Sequence, residues 1–470
     1  MTPDEFRRYG HQLIDWIAEY RSTLADRPVM ATTQPGDIKG KLPAAPPGEP
    51  EPFESVLDDL NNILLPGVTH WQHPAFFGYF PSNAPLASVL GDLIGSGLGT
   101  LGLSWQAAPA LTELEDRMCE WVRDMIGLGT GWQGVIQDTA STSTLIALLC
   151  ARERTTNFSL ARGGMQAEPK PLTVYVSAQS HSSVEKAALL AGFGRVNVRT
   201  VPCDEAYAMN AGALHEMMMA DVKAGLVPCA VVATTGTTAS TALDPVDAIC
   251  SAAANHGAWV HVDAAHAGSA MILPECRWMW AGVERADSVV LNPHKWLGAQ
   301  FDCSLFYVGD SRHLLKVMST NPSYLQTAAD GGVKNYRDWG IALGRRFRAL
   351  KLWTLIRSEG VSGLQSRLRR DMANAKWLAE QVAATPDWKV VAPVPLQTVC
   401  VRHAPPKLSG DELDRHTKGW ADRVNRSGKA YLTPALLGDR WMVRVSIGAE
   451  QSQRKDVEAV WDLMQETVRV

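Results

Sequence analysis

From about residue 135 onward, short β-branched runs alternate with helix-length segments, and this alternation limits the fold more than any other feature of the chain. The runs are Leu172 to Val176, Val196 to Val201, Ala230 to Ala233, Trp259 to Val262, Ser288 to Leu291 and Ser304 to Val308. Between them, Ser182 to Ala191, Ala213 to Lys223 and Val246 to Asn255 read as helices long enough to cross over between parallel strands. The expectation is an α/β fold with a mostly parallel central sheet, whose ligands lie at the C-terminal ends of the strands.

Ahead of this core, residues 4–26 space Phe6, Leu13, Ile14, Ile17, Ala18 and Leu24 as a helix, and a Pro/Gly-rich connector follows from Pro28 to Pro52. An extended arm of this kind has few apolar groups for a core of its own, so it is expected to pack on a second subunit or on its own chain as a lid. The apolar stretch from Leu86 to Trp105, interrupted by Asp92 and by glycines, reads as a buried helix and turn and not as a membrane span. Behind the core, a long helical pattern runs through Trp353 and past Arg369, and a mixed segment begins near Trp388. We therefore expect an N-terminal helical arm or dimerisation segment over 1–82, a large domain over 83–352 and a small α+β domain over 353–470.

The balance of 45 Lys+Arg against 49 Asp+Glu gives a net charge of -4. That leaves no basic excess for a phosphate backbone or an anionic membrane, so neither nucleic acid nor membrane is an expected partner. The eight cysteines are dispersed without a C-x-x-C, and the first residues are acidic and lack a signal core. These features fit buried thiols in a cytoplasmic protein. No ligand cluster has metal spacing, and no G-x-G-x-x-G opens a βαβ unit.

The residues that carry chemistry sit where strands end. Asn292-Pro293-His294-Lys295-Trp296 follows the run Ser288 to Leu291 and puts an amine at a strand's mouth, where an imine-forming lysine belongs. Asp263 ends the run before Ala264 and Ala265, small residues that let a flat ring approach a carboxylate able to keep a ring nitrogen protonated. Pyridoxal phosphate needs this pair, a lysine for its aldehyde and a carboxylate for its pyridinium. Asp138 to Ser143 opens a helix with small hydroxyl residues and offers N–H groups to a phosphate. His181 follows another strand, as does Thr234 to Thr238. Taken singly, each feature also reads as a surface lysine, a turn carboxylate, a helix cap or a plain turn; their coincidence is what carries weight.

Along almost its whole length the chain resembles the group II pyridoxal-phosphate decarboxylases of fold type I, and among them the aromatic-L-amino-acid (DOPA, tyrosine, tryptophan) decarboxylases. The segments carrying the resemblance are Trp71 to Ser82, Gly134 to Ser143, His181 to Lys186, Thr234 to Thr238, His261 to Ala270, Asn292 to Trp296, Asn321 to Leu325 and Leu343 to Trp353. The resemblance implies that Lys295 holds the cofactor aldehyde as a Schiff base, that Asp263 pairs with the pyridine nitrogen, and that His181 and Ala265 pack on opposite ring faces. It places Thr238 against the ring and Ala140, Ser141, Asn292 and His294 around the phosphate. It puts Ser82, often Thr in the family, near the substrate carboxylate, and it makes Met318 to Gly332 a closing loop whose Tyr324 is the candidate proton donor. A homodimer is also implied.

Trp71, Tyr79 and Phe80 are the candidates for walling a flat side-chain pocket, while Phe76 and Phe77 read as core. A stacking wall separates phenyl, phenol, catechol and indole only weakly. The alternative activity is an aromatic aldehyde synthase, which adds oxidative deamination to decarboxylation. In such relatives the loop tyrosine is typically phenylalanine and the ring histidine is sometimes asparagine, so Tyr324 and His181 argue for the amine-forming branch. His266, at a position where the family commonly has tyrosine, is a departure. Arg444 reads as exposed or structural.

Overall fold

A computed structural model describes the chain apart from Asn321, Ala328, Val470 and the side chain of Tyr324. Its residues group into two compact units, Ser82–Ala379 with Val390–Cys400, and Met1–Pro81 with Glu380–Lys389 and Val401–Val470. The first unit holds a seven-stranded sheet. Its strands are β1 (Gln133–Gln137), β2 (Leu172–Ser177), β3 (Val198–Val201), β4 (Val227–Thr234), β5 (Trp259–Asp263), β6 (Ser288–Leu291) and β7 (Ser304–Val308), in the order β1-β7-β6-β5-β4-β2-β3. From β3 to β6 neighbouring strands are parallel, and β7 runs antiparallel to both β6 and β1. The mostly parallel α/β sheet expected from the alternation is present.

Both faces of this sheet are covered, which is why its strands read as near-continuous apolar runs. Side chains alternate across a strand, so Val231 and Ala233 of β4 join a core with Val260, Val262 and Trp296, while Ala230 and Val232 join another with Val174, Ile146 and Leu148. Ile146 and Leu148 are fully buried, each contributing about 1.5–3 kcal/mol. The crossovers are helices Ser182–Leu190, Ala211–Lys223 and Val246–Ala254. A buried ion pair joins segments far apart in sequence. Arg345 Nη2 lies 2.7 Å from Glu115 Oε1, which also accepts the Ile136 N–H at 3.0 Å.

One expectation fails in this unit. Leu86–Leu98 is a helix, but it is not buried: Leu90 is 49% exposed and Ile94 47%, and Leu86, Leu93 and Leu98 are exposed as well. Hydrophobicity alone predicted burial, and nothing within the unit covers this face. Among the described residues no helix is long and apolar enough to cross a membrane.

The other unit opens with helix Pro3–Ser22, whose first turn is closed by a reciprocal Thr2–Glu5 capping box. The Pro/Gly-rich connector is tied to its own chain at its start, as is the segment around Phe77 well beyond its end. Val29 N–H donates to the Gly428 carbonyl at 2.8 Å and Phe77 N–H to the Tyr431 carbonyl at 2.9 Å, while most residues over 32–59 are exposed. Strands β8 (Trp388–Val390), β9 (Thr398–His403), β10 (Thr433–Leu437) and β11 (Arg440–Ser446) form a four-stranded sheet in the order β10-β11-β9-β8. The eight cysteines are unpaired and all but Cys203 are buried.

Candidate active site

Three parallel strands end side by side. Thr234 at the end of β4 pairs with Asp263 at the end of β5, and Asp263 pairs in turn with Val290 of β6. Past the strand ends the loops continue the pairing: Thr235 N–H donates to the Asp263 carbonyl and Asn292 N–H to the Ala265 carbonyl, both at 3.0 Å. Parallel strands present their unused main-chain groups at this edge, so the side chains that follow converge there.

Lys295 lies in the turn Pro293–Leu297 directly after β6, half-buried between neighbours that are buried. His294 fixes one side of it, because its Nδ1 accepts the Cys303 N–H at 2.9 Å. Burial, reinforced by Lys295 and Lys351, pushes His294 down to about 3, so the ring is neutral at physiological pH. Trp296 anchors the other side by donating from Nε1 to Asp371 at 2.9 Å. His266 stacks on Trp296 with centroids 5.3 Å apart, so this departure from the family pattern is part of the packing under the lysine turn.

Asp263 is buried, and its Oδ1 accepts the Ala265 N–H at 3.0 Å. Behind it His261 is fully buried and pushed down to about 4 by burial, against the opposing pull of Asp263. His181 caps helix Ser182–Leu190. Partial burial lowers its pKa, the Asp263 carboxylate raises it, and Lys295 lowers it further. Asp263 and Lys295 thus both lie within electrostatic reach of His181.

The remaining candidates fall less evenly. Ala140 and Ser141 form the first turn of helix Ala140–Thr155, whose cap, Thr139, makes no side-chain capping hydrogen bond, and its first N–H groups suit an anion. Asn292 is buried and Ala265 half-buried. Thr238 is exposed, whereas Thr234, Thr235 and Thr237 of the same motif are buried. The positive φ of 84° at Gly236 turns the chain between them, and a side chain there would meet Ala267 at 2.6 Å. Ser82 belongs to the same unit and is half-buried. The Tyr324 side chain lies outside the described residues.

Trp71, Tyr79 and Phe80 belong to the other unit. There Trp71 stacks on Tyr79 with centroids 5.2 Å apart, and Tyr79 and Tyr431 share a hydroxyl hydrogen bond of 3.1 Å. The Arg444 guanidinium lies over the Phe80 ring at 4.7 Å, and Arg444 is buried, not exposed. Phe76 and Phe77 are core, as expected.

Sequence reasoning missed Asp244. This buried carboxylate accepts the Thr234 N–H and the Met209 N–H, each at 2.7 Å, and so clamps the end of β4 beside Asp263. Burial, opposed by those hydrogen bonds, raises its pKa to about 7. Its only sequence signal was an Asp-Pro pair after the threonine motif.

The mouth is also built to receive a polar flat molecule. Among the described residues, Thr234 Oγ1, Thr235 Oγ1 and Asn292 Oδ1 are buried without a protein partner, a costly state unless a ligand satisfies them. A half-buried amine, a buried carboxylate and a helix start match the aldehyde, ring nitrogen and phosphate of pyridoxal phosphate. Residues 35–404 match the pyridoxal-dependent decarboxylase conserved domain, and the chain belongs to that family, with pyridoxal phosphate as its cofactor.

Individual relatives cover the chain almost completely. It is 41% identical over 477 residues to phenylacetaldehyde synthase of Arabidopsis thaliana, covering 99% of this chain and 96% of the relative. It is 38% identical over 490 residues to tyrosine decarboxylase of Papaver somniferum, covering 99% and 95%. The crystal structure of Oryza sativa TDC with PLP and tryptamine superposes with a TM-score of 0.97 at 38% identity, covering 100% of this chain and 98% of that one. The fold is that of the fold type I pyridoxal-phosphate enzymes.

Proposed function

We propose that this protein decarboxylates an aromatic L-amino acid of the DOPA, tyrosine, tryptophan or 5-hydroxytryptophan class, releasing the amine and carbon dioxide. The observation that carries this reading is the convergence of Lys295 after β6, Asp263 at the end of β5 and His181 after β2, in a chain whose relatives include decarboxylases of tyrosine.

When bound, pyridoxal phosphate supplies an electron sink conjugated to the substrate Cα. The chain's own residues do the rest. Lys295 would supply the amine that holds the cofactor. Asp263 would keep the ring nitrogen protonated, and His181 and Ala265 would hold the ring. Ala140, Ser141, Asn292 and His294 would hold the phosphate, and Thr238 would contact the ring. Ser82 would orient the substrate carboxylate. Family resemblance assigns Trp71, Tyr79 and Phe80 to the aromatic side chain. Tyr324 returns a proton to Cα as carbon dioxide leaves.

A second reading, oxidative deamination to the aldehyde, is favoured by one observation, the 41% identity to phenylacetaldehyde synthase. Tyr324 separates the two. Cofactor-loaded protein given an equimolar mixture of aromatic amino acids, histidine and glutamate is expected to yield aromatic amines, identified by mass spectrometry. Tyr324→Phe is expected to divert product toward the aldehyde, with dioxygen and water consumed and ammonia and peroxide released. Aldehyde from the unaltered protein would overturn the proposal.

The exposed apolar face of helix Leu86–Leu98 further supports a homodimer, since a face this apolar on a soluble chain is normally covered by a second surface. Sedimentation is expected to give a dimer, and Leu90→Glu combined with Ile94→Glu a monomer. A monomer from the unaltered chain would refute it.

A further inference from the structure

His181 is an unusual helix cap. Caps are normally Ser, Thr, Asp or Asn, whose side-chain oxygen accepts a first-turn N–H. Here an imidazole does so: the Ser183 backbone N–H donates to His181 Nδ1 at 3.2 Å, with His181 in extended backbone geometry ahead of helix Ser182–Leu190. The Ser183 hydroxyl lies 2.7 Å from the same nitrogen.

A backbone N–H only donates, so Nδ1 must offer its lone pair. The neutral ring then carries its proton on Nε2. The charged ring would need a proton on both nitrogens, setting Nδ1–H against the Ser183 N–H. It would also place a positive charge at the positive end of the helix dipole. Two independent features, hydrogen-bond polarity and helix field, therefore exclude the same state.

The other charged groups around the ring divide. Asp263, at the end of β5, favours the charged form and Lys295 opposes it. Glu185 and Arg195, which form an ion pair, line with His181 a cavity of about 330 Å³. Neither figures among the charges that shift His181.

We infer that Ser183 is a positioning residue which, through its N–H and hydroxyl, holds His181 as the neutral Nε2–H tautomer, so that the ring enters the reaction as a hydrogen-bond donor and not as a base. The inference rests on the reading above that His181 belongs to the cofactor site. It explains why the helix begins directly after His181, one residue before Ser183, at this strand end. The hydroxyl is the adjustable part of the device, because the N–H remains in every substitution other than proline.

The test uses holoenzyme labelled with ¹⁵N-histidine, the His181 signals being identified by their loss in His181→Gln. Long-range ¹H–¹⁵N spectra are expected to give the Nε2–H pattern, with charging only below the ordinary histidine value. In Ser183→Ala the neutral form loses one donor, so the charging midpoint moves up. The turnover number falls about tenfold, the weight of one hydrogen bond, with KM within about twofold. Ser183→Thr restores both, and Ser182→Ala changes neither. An Nδ1–H pattern in the unaltered protein overturns the inference, as does a Ser183→Ala protein whose midpoint and turnover number are unchanged. The NMR readout needs no turnover, so a Nε2–H ring in a protein that forms no amine would count against the proposed reaction alone.

Discussion

Lys295→Ala is expected to abolish amine formation, with kcat falling by about 10⁴-fold or more, the range seen when a covalent catalytic group is removed. The turn that presents the lysine does not depend on its side chain. Trp296 is fixed through Asp371, and Arg367 donates to the carbonyls of Trp296 and Leu297 at 2.8 and 2.5 Å. His294 is fixed through Cys303. The variant should therefore fold normally, with unchanged circular dichroism, and the loss can be assigned to the amine. Two measurements check this: product by mass spectrometry, and cofactor retained through dialysis, which should drop because the covalent link is gone. Normal turnover with cofactor bound would mean that another amine does this work.

The strand-end placement of Lys295, Asp263 and His181 was legible in the sequence for a physical reason. A strand buried on both faces is an uninterrupted apolar run, so its end is marked by the first polar residue, and in a parallel sheet that end faces the ligand. Ser288 to Leu291 and then Asn292 is such a boundary; Trp259 to Val262 and then Asp263 is a weaker one, because the buried His261 interrupts its run. What lay beyond the strands was less legible. The hydroxyls of Thr234 to Thr238 sort into buried and exposed only through the positive φ of Gly236 and the hydrogen bond from the Ala242 N–H to Thr237 Oγ1 at 3.0 Å. No local pattern specifies that turn. Partners distant in the chain are equally silent: Glu115 and Arg345 are 230 residues apart, and each alone reads as an ordinary surface charge. The 86–98 helix misled because hydrophobicity reports that a face avoids water and not which chain covers it. Ser183 carries no periodic signal, and its contact with His181 appears only once the helix start is placed.

Asp263→Asn is expected to lower kcat by about 10²–10³-fold, comparable with removing one preorganised electrostatic contact to a developing charge. Asparagine preserves the shape of the side chain and an oxygen for the Ala265 N–H, so the end of β5 should keep its geometry. What disappears is the negative charge that holds a proton on the ring nitrogen and makes the cofactor a strong electron sink. Cofactor affinity should fall with it, measured as faster loss in dialysis. The substitution also has a sign that the chain's own groups report. Asp263 raises the pKa of both His181 and His261, so its neutralisation should move the charging midpoint of His181 further down. Ser183→Ala should move the same midpoint up, because it weakens the neutral form instead of withdrawing support from the charged one. The opposite shifts, read on one ring by one spectrum, separate loss of the carboxylate from loss of the cap. A kcat for Asp263→Asn within about twofold of the unaltered enzyme would remove the carboxylate from the mechanism, whatever the histidine does.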